Sequence, residues 1–297
     1  MIRETVTAYG GKKLSVAIWE NVKKPKAVVQ LAHGMAEHIA RYDDFARFLN
    51  ANGFIAFGND HRAHGETDAD ALGIAGGDDI FSDTVSDLIE LTEWAEVRWG
   101  LPIIFFGHSY GSFLGQAYLL EASNKLAACV LSGSALYGSG LASFGEFVSN
   151  RKFKKHASEP GKFFAKLTFE SYDKKTGAGL NGWLSRDTES NKAYNEDDKC
   201  GYKCSYGFYK WFFHGMKMLA KKPFTPVRRD LPLLVIYGKK DYVGSCGKLV
   251  DKLVKKYESA GLRPKVIGYE SARHEVLNEI NKAEVYSDVL EFLDLVV

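Results

Sequence analysis

Residues 101–115, LPIIFFGHSYGSFLG, run an unbroken apolar segment into a serine bracketed by two glycines, Gly107 and Gly111. An apolar run of this length, bounded by turn residues, reads as a buried strand. The residues from about Gly111 to Ala122 read as a helix. Ser109 then falls at a sharp strand-to-helix turn, where a strained backbone lifts a hydroxyl clear of a sheet edge. Glycines two positions away on either side let strand and helix approach without an intervening Cβ. The helix beyond points free N–H groups and a positive dipole end at whatever the hydroxyl attacks. A GxSxG match is weak alone, but this is the chain's only one and it sits at a strand–helix junction.

Outward from this point the rhythm is regular. Residues 2 to 20 alternate and break at Tyr9-Gly10-Gly11-Lys12, as a β-hairpin does. AVVQLAHG is a short apolar strand, YDDFARFLNANG an amphipathic helix closed by Gly53, and FIAFGND another strand. FSDTVSDLIELTEWAEVRW is a long helix with Ser82 or Asp83 as its expected N-cap. After the Ser109 helix come the strand AACVLSG and, much later, LPLLVIYGKKD, the helix GKLVDKLVKKYESAG and the strand RPKVIGYE. A last helix is expected from about Glu275 to Val297. Strands alternating with helices predict an α/β fold, a mostly parallel sheet flanked by helices. Between about Leu136 and Thr225 no clean apolar strand appears. The expected division is a core of residues 1–135 and 226–297, carrying a mainly helical inserted cap over 136–225.

Function in open α/β sheets gathers at the carboxyl ends of the strands. A serine hydroxyl there needs a base to take its proton and a third group to orient that base. His274 follows the last strand and Asp241 directly follows LLVIYGKK. Asp230 precedes its strand, on the wrong edge, and Asp251 falls inside a helix pattern. Ser109, Asp241 and His274 are the catalytic candidates, in that chain order. An oxyanion would need donors: the backbone N–H of Tyr110, after the nucleophile, and that of Met35, in the loop HGMAEH after an early strand. His33, His38, His61 and His64 raise the question of a metal, but no HExxH spacing appears and hydrogen-bonding roles are expected. Cys129, Cys200, Cys204 and Cys246 form no CxxC pair and read as reduced thiols. No metal and no cofactor is expected.

HGMAEH, DHRAHGET, GHSYGS, YGKKD and HEVLNE, in this order, resemble the monoacylglycerol lipase and lysophospholipase-like branch of the α/β-hydrolase superfamily. The resemblance covers nearly the whole chain. It implies the α/β-hydrolase fold and a cofactor-free serine hydrolase, with the triad on Ser109, Asp241 and His274 and the oxyanion hole at Met35 and Tyr110. The chain departs from the pattern at Tyr110, where methionine is frequent, and at Ala63, where glycine is usual.

Composition narrows the rest. A net charge of +2 gives no general case for nucleic acid as a partner. No segment approaches the roughly 20 apolar residues of a membrane span, and the N-terminus has charges where a signal peptide would be apolar. A soluble, cytoplasmic protein is expected. Residues 136–225 hold 18 of the 39 Phe, Trp and Tyr residues, with 16 Lys and Arg against 9 Asp and Glu, a net +7. Most of these aromatics should pack cap onto core. The functional expectation is an apolar acyl tunnel under a basic lid that touches lipid surfaces transiently. The expected partner is a small-molecule acyl ester of the monoacylglycerol or lysophospholipid type. A peptidase or amidase, or an acyltransferase, would use the same triad.

Overall fold

The computed structural model describes residues 1–167 and 169–297. Its eight strands form one sheet in the order β1-β2-β4-β3-β5-β6-β7-β8. The strands are β1 Ile2–Ala8, β2 Lys12–Trp19, β3 Ala27–Ala32, β4 Phe54–Asn59, β5 Ile103–His108, β6 Ala128–Ser132, β7 Leu233–Gly238 and β8 Lys265–Tyr269. The hairpin β1–β2 and the pair β2–β4 are antiparallel, and every other pairing is parallel. The central strands β3, β5 and β6 are buried at every residue, as strands covered on both faces must be.

Two apolar cores flank this sheet. On one face lie α2 (Ile80–Trp99), α3 (Tyr110–Ala122) and α9 (Lys248–Ser259); on the other lie α1 (Asp43–Ala51) and α10 (Lys282–Asp294). Between β6 and β7 the chain leaves the sheet for a helical segment, which among the described residues comprises α4 Ser139–His156, α5 Lys162–Leu167, α6 Phe169–Thr176, α7 Thr188–Glu196 and α8 Tyr206–Lys221. Apolar residues of this segment, Phe164, Phe208 and Tyr209 on the helices and Trp183 between α6 and α7, join the same core as α2 and α3. Among the described residues no helix is long and apolar enough to cross a membrane.

Two boundaries differ from the sequence reading. Helix α2 begins at Ile80, and its cap is Asp79, whose side chain accepts from Ser82 N–H at 3.1 Å. The last helix begins at Lys282, seven residues later than expected. Residues 275–279 are held out of it by buried ion pairs: Arg41 binds Glu275, and Arg186 binds Glu279 at 2.9 Å.

Candidate active site

The parallel register brings the carboxyl ends of the central strands level, with Ala32 beside Gly107 and His108 beside Ser132. The loops that follow these ends therefore meet. Ser109 sits between β5 and α3 with φ 50° and ψ −115°, the strained turn expected of the motif. Its amide is fixed to Ser132 O at 2.9 Å. Gly111 is needed sterically, because a Cβ there would lie 2.1 Å from Ala32 O. Only glycine lets α3 start against the end of β3.

Asp241 follows β7 and His274 follows β8, and the two side chains meet: His274 Nδ1 lies 2.9 Å from Asp241 Oδ2. Both are almost wholly buried, at 2% and 1% side-chain exposure. The other Asp241 oxygen accepts from Val243 N–H at 2.8 Å, which fixes the carboxylate plane. Burial alone would lower the His274 pKa. The Asp241 charge and hydrogen bond outweigh it and raise the imidazole above its ordinary value. Ser109 and His274 line the same cavity, with no hydrogen bond between them in this structure. Asp230 is elsewhere, paired with Arg228, and Asp251 lies in α9.

The loop after β3 carries Met35. Gly34 N–H donates to Glu37 Oε1 at 2.5 Å, and Ala36 N–H donates to His64 Nε2 at 3.2 Å. Among the described residues, Met35 N–H has no acceptor, nor has the N–H of Tyr110 at the first position of α3. Two unspent amides thus flank Ser109 on the elements chosen from sequence. The phenol of Tyr110 is buried against His64 and Phe208, and burial pushes its pKa up.

Three of the four histidines that raised a metal question, His33, His61 and His64, hydrogen-bond among the loops beside Ser109. His33 and His61 stack at 4.0 Å, and His33 Nε2 accepts from His61 N–H at 3.0 Å. Burial first, and then repulsion from neighbouring histidines (His61 and His64 on His33, His64 on His61), pushes His33 well down and His61 to about 3; burial takes His64 to about 4. All three are neutral rings propping up the loop at residues 34–36. His38 stands apart, 2.8 Å from Asp197.

Sequence reasoning gave no role to three features. The first is the buried cluster Glu37–Arg41–Glu275, in which Arg41 bridges the Met35 loop to the residue after His274. The spacing of Glu37 and Arg41, four apart, was the available signal. The second is His108, whose ring stands 4.8 Å from that of His274 and is held neutral by burial, its pKa lowered to about 3. The third is Trp183, from the segment between α6 and α7, whose ring stands 5.1 Å from His274. No periodicity marks it.

Two chambers meet at Ser109. One, about 380 Å³, is the more polar of the two, with Glu170, Asp173, Asn181, Asn195 and Lys203 set among Phe169, Leu180, Trp183 and Leu184. The other, about 330 Å³, is walled by aromatic and aliphatic side chains such as Phe113, Tyr137, Phe164, Phe212 and Met216. Met35, Ser109, Phe169 and Trp183 line both.

The strand order, the sharp Ser109 turn between β5 and α3 and the helices inserted after β6 together define an α/β-hydrolase. The model of the family described as serine aminopeptidase, S33, matches residues 23–281, and the chain belongs to that family. A monoacylglycerol lipase from Mycolicibacterium smegmatis is 29% identical over 295 residues, spanning 96% of this chain and 94% of that one. Among solved structures, a carboxyl esterase from Bacillus coagulans superposes with a TM-score of 0.91 at 23% identity, covering 100% of this chain and 99% of its own. A lipase in an open form gives 0.89 at 24% identity, with 99% and 98% covered.

Proposed function

We propose that this carboxylic ester hydrolase cleaves monoacylglycerol- or lysophospholipid-type esters through an acyl-enzyme. The observation that carries the reading is the junction at Ser109 of an aromatic, apolar chamber with one that is more polar and carries charged and amide side chains. A single-chain lipid ester has that same division, with an apolar acyl chain on one side of the carbonyl and a polar alcohol on the other. The M. smegmatis relative, a monoacylglycerol lipase, supports the same substrate class.

In this reading the acyl chain occupies the aromatic chamber and the alcohol the polar one. Ser109 Oγ attacks the carbonyl carbon while His274 takes its proton. Asp241, on Nδ1, fixes the tautomer and stabilises the imidazolium that forms. The N–H groups of Met35 and Tyr110 receive the oxyanion as charge builds on it. His274 then hands the proton to the leaving alcohol, and water releases the acid by the same steps in reverse. Helices α4–α8 act as the cap. The exposed Leu141, Phe144 and Phe147 on α4, together with Arg151, Lys152, Lys154 and Lys155, suit transient contact with an anionic lipid surface.

The test is a glyceryl-ester series of increasing acyl length. Each buried methylene contributes about 0.8 kcal/mol, so kcat/KM should rise by up to about fourfold per methylene until the chamber is full. A sharp preference for acetyl esters would refute the assignment. The family's description as an aminopeptidase, with Glu170 and Asp173 in the polar chamber as ammonium acceptors, favours one second reading, hydrolysis of aminoacyl amides. Faster turnover of aminoacyl naphthylamides than of glyceryl esters would select it.

A further inference from the structure

We propose that His38, Asp197 and Cys200 form a binding site for one thiophilic divalent cation of the zinc class, clamping the Met35 loop to the helices above it. The donor atoms of the three side chains all lie within 4.8 Å of one another, and His38 Nε2 is 2.8 Å from Asp197 Oδ2. One imidazole, one carboxylate and one thiol is a donor set suited to a borderline-soft ion such as Zn²⁺. Tetrahedral Zn²⁺ holds such donors about 3.4–3.6 Å apart, given metal–ligand lengths of about 2.0–2.3 Å. The cluster reaches that by opening the His38–Asp197 hydrogen bond by about half an ångström and drawing Cys200 inward.

The surroundings are set up for this without an ion. Asp197 and Cys200 sit on one turn, closed by Cys200 N–H donating to Asp197 O at 2.9 Å. Lys199 N–H donates to Asp197 Oδ1 at 2.8 Å, leaving Oδ2 as the oxygen presented to His38. The Lys199 ammonium is drawn off to Glu66, out of competition for the site. The turn is tied to the loop that bears His38, because Gly201 N–H and Tyr194 OH both donate to Ala36 O at 2.9 Å. Side-chain exposures of 12% for His38 and 34% for Asp197 leave an entry path from solvent. On binding, the Cys200 S–H proton passes to solvent as the metal–sulfur bond forms. The hydrogen that His38 Nε2 shares with Asp197 Oδ2 moves to Nδ1 or to solvent, which frees the Nε2 lone pair for the ion, and water takes the fourth position.

Sequence spacing hides this site because His38 lies 159 residues from Asp197, and only folding joins them. Cys200 and Ala36 also line the polar chamber at Ser109, so a bound ion stiffens the wall of that chamber and slows turnover. This last effect rests on the proposed hydrolytic reading, whereas the coordination itself does not.

The experiment is a Co²⁺ titration of the full, reduced chain, with Zn²⁺ added as competitor. The expected result is thiolate-to-cobalt charge-transfer absorption that saturates at one equivalent and disappears on adding Zn²⁺. Cys200→Ser should abolish the band, and His38→Ala and Asp197→Asn should each weaken binding at least tenfold. Cys246→Ser, which alters an exposed cysteine, should leave it unchanged. Circular dichroism without metal checks that each variant is folded, and His38→Gln stands in for any that is not. Absence of the band in the wild-type chain, or its persistence in Cys200→Ser, overturns the proposal.

Discussion

Arg41 grips Glu275 through two 2.7 Å hydrogen bonds, and Glu275 is the residue next to His274. The same guanidinium reaches Glu37, which accepts from Gly34 N–H in the Met35 loop. One cation therefore holds the two loops that face each other across Ser109. All three side chains are buried, with 11% exposure or less. Arg41→Ala would leave two uncompensated carboxylates, a change that costs about 3–5 kcal/mol in comparable buried pairs. Arg41→Lys keeps the charge but loses the planar fork. Urea unfolding should rank the wild type above Arg41→Lys and both above Arg41→Ala, with kcat on a short aryl ester falling in the same order. An Arg41→Ala protein of native stability and turnover would show that the bridge holds nothing.

In the proposed mechanism the pH dependence of activity follows from His274. Its pKa is raised because the Asp241 charge and hydrogen bond outweigh burial, which acts the other way. Only the neutral imidazole serves as base, so the acid limb of kcat/KM should lie above the ordinary value of 6.5, with activity rising through it. The stability effect has the opposite sense. A raised folded-state pKa contributes stability that is fully present below 6.5 and is lost as pH rises through the folded value. Asp241→Asn should therefore cost most stability below pH 6.5, move the acid limb downward and cut the rate by about 10⁴-fold. An acid limb that stayed in place in Asp241→Asn would detach the shift from the carboxylate.

How far the sequence carried these conclusions depended on the range of the physics. The order of the strands was legible because each is a short apolar run closed by turn residues, and the nucleophile turn because glycine is sterically required at Gly111. Asp241 and His274 could be chosen because parallel strands put their carboxyl ends on one edge, so position in the strand order stood in for position in space. The start of α10 was misjudged because the periodic signal of 275–279 competes with pairing to Arg41 and Arg186, which lie 234 and 93 residues away. Trp183 and the two chambers were illegible for the same reason. Helices α4–α8 pack through aromatic contacts without the period of a strand, and no local pattern says which ring faces Ser109.

Ala63 marks a place where the chain stores strain outside the triad. It adopts φ 62°, a left-handed conformation that costs a residue with a Cβ about 1–2 kcal/mol. The turn is nevertheless held, since Ala63 N–H donates to Asp68 Oδ2 at 2.8 Å and its carbonyl accepts from Gly73 N–H at 2.7 Å. Ala63→Gly should relieve the strain, offset in part by the greater freedom of an unfolded glycine, for a net gain of about 0.5–1 kcal/mol. Thermal unfolding would record this as a rise of about 1–2 °C. A lower midpoint would mean that packing of the buried methyl outweighs the backbone cost.

Ser109 offers the sharpest separation of stability from activity. Its φ of 50° and ψ of −115° lie in a region that glycine occupies readily and other residues at a cost of about 1–3 kcal/mol. Ser109→Ala keeps the Cβ and hence the strain, but removes the hydroxyl. Ser109→Gly removes both. The two variants should be equally inactive, with ester hydrolysis reduced by orders of magnitude. They should differ in stability, with Ser109→Gly above Ser109→Ala by about 1 kcal/mol, because only the glycine releases the turn. Measuring both in the same denaturant series isolates the backbone term from the lost hydroxyl. Equal midpoints would show that the turn carries no strain, and an alanine variant that kept most of its esterase activity would remove Ser109 as the nucleophile.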